Sequence, residues 1–136
     1  LKIGLLRPEN YAGIGSFSGA VDLQRIFDKM RPHQPPRAID EMIGIFGPEL
    51  TLQPEDDILY LTREHARLSP EMQCKLFISC GTEDEMPTLY DGNVDYVRLL
   101  EELGLPHRYF QQSGMHEWGV WDEAVQKALD YFDTER

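Results

Sequence analysis

Positive charge is scarce in this sequence. Thirteen basic side chains stand against 24 acidic ones, a net charge of −11 over 136 residues. Phosphate binding needs a basic patch and none is visible, so no nucleic-acid partner and no membrane surface is expected. Long apolar runs are missing too, and no stretch approaches the ~18 residues that a membrane-crossing helix requires. Cysteine is nearly absent. Cys74 and Cys80 flank one apolar run, and residues so placed on one strand lie roughly 20 Å apart, too far for a disulfide. They read as buried reduced thiols, which points to the cytoplasm. Metal-type cysteine clusters are missing. His116-Glu117 does not open an H-E-x-x-H zinc motif, because Val120 holds the second histidine's position. No signal peptide is visible in these residues. An initiator Met is missing as well. Leu1-Lys2-Ile3-Gly4-Leu5-Leu6 runs into Arg7-Pro8 like the tail of a helix already under way. The expectation is the C-terminal part of a longer protein.

What is present is an alternation of strands and helices. Tyr11 to Gly19 reads as a short buried strand, with small residues where something packs closely. Asp22 is placed to cap a helix carrying Leu23, Ile26, Phe27 and Met30 on one face. Arg31-Pro32-His33-Gln34-Pro35-Pro36 is a proline-rich loop. Asp40 is expected to cap a second short helix closed by Gly47-Pro48, and Pro54 to open a third through Ile58, Leu59, Leu61 and His65. Residues 22–69 therefore read as a helical, cap-like insertion without a parallel strand. Lys75 to Cys80 is a near-continuous apolar run ended by Gly81, the pattern of a strand buried on both faces of a parallel sheet. Asn93 to Leu103 is a helix stopped by Gly104, and His107 to Gln112 is the next strand. Trp121, Ala124, Val125, Ala128, Leu129 and Phe132 stripe the last helix. Residues 70–136 are thus strand, acidic loop, helix, strand, histidine loop, helix. This is a β-α-β unit, parallel and right-handed by default, and the fold class is α/β.

In open α/β sheets the chemistry sits at the carboxyl ends of the strands. Asp84 and His116 both occupy such ends, on adjacent connections. A serine hydroxyl is a poor nucleophile at neutral pH; it needs a base to take its proton and an acid to hold that base in the right tautomer. His116, on a loop framed by Gly114 and Gly119, can be the base, and Asp84 the acid. Glu83, Glu85 and Asp91 are rival acids; Asp84 is preferred because it lies within the turn leaving the strand. Each also has a plainer reading, a solvated turn residue for Asp84 and a structural hydrogen bond for His116. Trp118 and Trp121 can wall a site or fill core, and the stripe puts Trp121 in the core. His33, His65 and His107 show no ligand spacing and read as structural or surface residues. Neither Ser16 nor Ser18 fits G-x-S-x-G. In α/β-hydrolases the order is serine, acid, histidine, so the nucleophile is expected before Leu1.

Three motifs taken together, Ser16-Phe17-Ser18-Gly19, Cys80-Gly81-Thr82-Glu83-Asp84 and Gly114-Met115-His116-Glu117-Trp118 with Trp121, resemble the esterase D and tributyrin-esterase branch of the α/β-hydrolases. S-formylglutathione hydrolases and feruloyl or acetyl xylan esterases are its relatives. The resemblance covers essentially the whole chain, but only the C-terminal half of such an enzyme's single domain. It implies Asp84 as triad acid, His116 as base, and a nucleophile elbow and oxyanion hole upstream. It implies hydrolysis of short-chain acyl esters through an acyl-enzyme, with no metal or organic cofactor. The partners expected are a small-molecule ester and the missing N-terminal half, with a homo-oligomer possible. The loop Glu85-Met86-Pro87-Thr88 departs from the pattern in being more acidic and proline-bearing.

Overall fold

The computed structural model describes residues 1–31, 36–86 and 88–133. Its centre is β2 (Lys75–Gly81), the run that the sequence marks as buried on both sides. Leu76, Phe77 and Ile78 have no exposed surface at all. β1 (Gly13–Phe17) and β3 (His107–Gln112) pair with it on either side, both parallel, giving the order β1-β2-β3.

Two successive right-handed crossovers that advance in the same direction must lie on the same face of the sheet. The first carries α2 (Leu23–Met30), α3 (Pro36–Phe46) and α4 (Ile58–His65); the second carries α5 (Leu89–Leu103). Accordingly Leu61 of α4 and Tyr96, Val97 and Leu100 of α5 share one core with Leu76 and Ile78. α1 (Lys2–Leu6) joins them through Leu5. Thr62 and Tyr96 link α4 to α5 by a buried hydroxyl pair 2.8 Å apart. The other face is left to α6 (Trp118–Asp133). There Ala124 and Ala128 close on Phe77, with Phe17, Phe110, Tyr131 and Phe132 around them.

Local chemistry explains most boundaries. Asp22 caps α2, its carboxylate accepting from the Arg25 amide at 3.1 Å. Three expectations need correction. Asp40 is not a cap, since α3 already runs from Pro36, a residue suited to a first helical turn. Pro54 does not open α4. Asp57 does, accepting from the Leu59 and Tyr60 amides at 2.9 and 3.1 Å. α5 starts at Leu89 rather than Asn93, because Asn93 is buried inside the helix with its amide bonded to the Leu89 carbonyl. The loop expected at 32–35 lies outside the described residues. The apolar stripe of α6 is only partly covered: Ala124 and Ala128 are buried, whereas Val125 and Leu129 are 41% and 63% exposed. Cys74 and Cys80 are buried thiols that are not joined in a disulfide. Among the described residues no helix is long and apolar enough to cross a membrane.

Candidate functional site

The carboxyl ends of β2 and β3 run on into loops that stay laced together. The Thr82 amide donates to the Gln112 carbonyl at 2.9 Å and the Glu83 amide to the Gly114 carbonyl at 3.0 Å. The ladder therefore continues one step past each strand, and it fixes the acidic loop against the histidine loop. Such close approach needs glycine. A Cβ on Gly81 would stand 2.3 Å from the Gly114 carbonyl oxygen. Gly114 itself has φ +139°, and a Cβ there would strike Val120 at 2.4 Å. Glu117 then accepts the Val120 and Trp121 amides through its carbonyl, and α6 begins.

This frame brings Asp84 and His116 together. Asp84 Oδ2 lies 2.9 Å from His116 Nδ1, the carboxylate side chain fully buried and the imidazole 40% exposed. The other carboxylate oxygen accepts the Met86 amide at 3.1 Å, which fixes the rotamer. With Nδ1–H donating to the carboxylate, Nε2 is the ring nitrogen left to accept a proton. The rivals are placed elsewhere. Glu83 is exposed and accepts from the Ser113 hydroxyl, Glu85 is exposed, and Asp91 sits in the first turn of α5.

His116 opens on a cavity of ≈ 320 Å³ lined by Phe17, Ser18, Trp118, Trp121 and Val125. The His116 and Trp121 rings meet nearly at right angles, 82°, with centroids 4.9 Å apart, and Trp118 meets Trp121 in the same way at 5.1 Å. Trp121 Nε1–H donates to Ser18 Oγ at 3.1 Å. Trp121 is thus a wall of the cavity rather than core. Phe17 and Ser18 were not expected in the site. The available signal was their position at the carboxyl end of a buried strand, the same rule that located Asp84 and His116. Below Asp84 lies Cys80, whose sulfur is 3.9 Å from Asp84 Oδ2; burial, above all, pushes its thiol up to about 11, so it stays protonated and poorly nucleophilic. His65 and His107 stand apart from this group, His65 accepting the Cys74 amide at 3.0 Å and His107 bonded to the Leu105 carbonyl at 2.8 Å.

The chain is an α/β fold, a parallel sheet covered by helices on both faces, with an aspartate and a histidine joined across adjacent strand ends. Three solved structures are similar to it. The fluorophosphonate-binding serine hydrolase FphF of Staphylococcus aureus matches with a TM-score of 0.72 at 22% identity, over 98% of this chain and 49% of its own. The S-formylglutathione hydrolase FrmB of the same organism matches at 0.63 and 23% identity, over 96% of this chain and 45% of its own. A ferulic acid esterase matches at 0.62 and 15% identity, over 96% of this chain and 44% of its own. The chain therefore spans about half the length of the solved chains it resembles. No family model and no curated protein matches the sequence.

Proposed function

We propose that this chain carries the acid and base of a serine esterase that acts on short-chain acyl esters. The observation that supports it is the 2.9 Å contact between the buried Asp84 carboxylate and the half-exposed His116 imidazole. His116 Nε2 would take the proton of a serine hydroxyl as that oxygen attacks the ester carbonyl. The imidazolium so formed is stabilised by Asp84, and it then gives its proton to the departing alkoxide. A water activated the same way releases the acid and frees the serine. The nucleophile and the oxyanion-hole amides are assigned to a segment preceding Leu1, in keeping with the serine-acid-histidine order and with neighbours about twice as long. Those neighbours, a serine hydrolase, an S-formylglutathione hydrolase and a ferulic acid esterase, favour an acyl-oxygen or acyl-sulfur bond as the target.

The test uses the whole protein with p-nitrophenyl acetate. His116→Ala is expected to abolish turnover with the far-UV circular dichroism unchanged. Asp84→Asn, which keeps the shape but lets the imidazole adopt the wrong tautomer, is expected to lower kcat by roughly 10⁴. Undiminished hydrolysis in either variant rejects the assignment.

A further inference from the structure

Ser18 is one of few residues other than glycine with a left-handed backbone, φ 49°. It follows β1 directly, is 5% exposed, and its amide is held by the Ser79 carbonyl at 2.7 Å. Backbone strain of this kind persists only where surrounding contacts over-determine it. Here they do: the next residue, Gly19, is gripped through its carbonyl by the buried Asn93 amide of α5 at 2.9 Å. Beside Gly19 there is no room either, since a Cβ on it would stand 2.3 Å from Ser16 Oγ. The hydroxyl of Ser18 is thereby fixed where it accepts Trp121 Nε1–H. Beneath the site the Cys80 thiol faces Asp84 Oδ2 at 3.9 Å.

We infer that Ser18 is a positioning residue for His116, acting through Trp121 in a chain of contacts from Ser18 to Trp121, His116 and Asp84. Asp84 fixes only one point of the imidazole. A ring tethered at Nδ1 alone still rotates about its own bonds and can swing Nε2 out of line. The perpendicular Trp121 ring, 4.9 Å away, blocks that swing from the cavity side. Trp121 can do so only if its own orientation is set. Ser18 Oγ sets it from a strand two places away, so that all three strand ends contribute to one histidine. This inference rests on the esterase reading for its kinetic consequence but not for the geometry itself.

The decisive experiment compares the whole protein with Ser18→Ala, Trp121→Phe and the double variant, by ¹⁵N spectra of the tryptophan indole and histidine imidazole groups alongside ester hydrolysis. Trp121→Phe keeps a ring and loses the donor, so it serves if Ser18→Ala does not fold. In Ser18→Ala the Trp121 indole N–H is expected to shift and the His116 imidazole signals to move and broaden. In each single variant kcat is expected to fall about tenfold with KM little changed, as for a small misplacement of a base, and the double variant is expected to be no worse than Trp121→Phe. An unmoved His116 imidazole in both single variants overturns the inference. A moved imidazole in a protein that hydrolyses no ester leaves the positioning intact and removes the esterase reading instead.

Discussion

Two residues with nearly identical sequence neighbourhoods can end in opposite environments. Glu83 and Asp84 are consecutive in one acidic turn, yet Glu83 is exposed while the Asp84 side chain is sealed and bonded to His116. Thr82, Glu83 and Glu85 of that turn are all exposed, and Glu83 reaches only Ser113 at the start of the histidine loop, whereas Asp84 meets the imidazole itself. His65 makes a second case. The sequence reads it as structural. In the fold it is 1% exposed, with Nε2 accepting the Cys74 amide and Nδ1 buried without a partner. Burial holds its pKa below the ordinary 6.5. The unfolded chain therefore takes up a proton first as pH falls, so stability is fully present above that ordinary value and declines below it, down to the lowered folded value. Chemical unfolding of the whole protein between pH 7 and 5 should show this loss, and His65→Gln, which can still accept the Cys74 amide, should remove that part of the slope. An identical slope in the variant counts against the assignment.

At the scale of elements, the site depends on how close two loops can come. Gly81→Ala would drive a methyl group into the Gly114 carbonyl, backbone against backbone, and the loops would have to part. Because that contact aligns Asp84 with His116, the variant should lose at least about 100-fold in ester turnover while keeping its secondary structure. Normal activity in Gly81→Ala would show that the ladder extension does not set the pair. Helix boundaries were less legible than helix existence. Asp57 rather than Pro54 caps α4, since three consecutive acidic residues, Glu55, Asp56 and Asp57, follow the proline and only geometry selects one. Asp57→Ala should cost about 1 kcal/mol, measured as a lower Tm, whereas Asp40→Ala, within α3 and not a cap, should not. The start of α5 likewise depends on tertiary packing, which buries Asn93 inside the helix to hold Gly19.

For the molecule as a whole, among the described residues the sheet leaves β1 and β3 each with an unpaired outer edge, and α6 presents Trp118, Val125 and Leu129 outward, at 81%, 41% and 63% exposure. Open strand edges and contiguous apolar faces recruit other surfaces. The 136 residues should therefore self-associate on size-exclusion chromatography. A stable monomer at high concentration would overturn this. The heavy acidic excess favours solubility but does nothing to cover that face.

The sequence by itself determined the alternation of strands and helices, the double burial of β2 and the placement of Asp84 and His116 at strand ends. These follow from local rules, hydrophobic period and strand-end position, that need no knowledge of distant contacts. Only the tertiary structure decided that Asp84 and not Glu83 meets the histidine, that Trp121 faces a cavity, and that Ser18 reaches across the sheet to hold it. Those facts depend on strand register and on the rotation of α6 about its axis. Both are set by packing over the whole sheet, and neither leaves a mark in the spacing of residues along the chain.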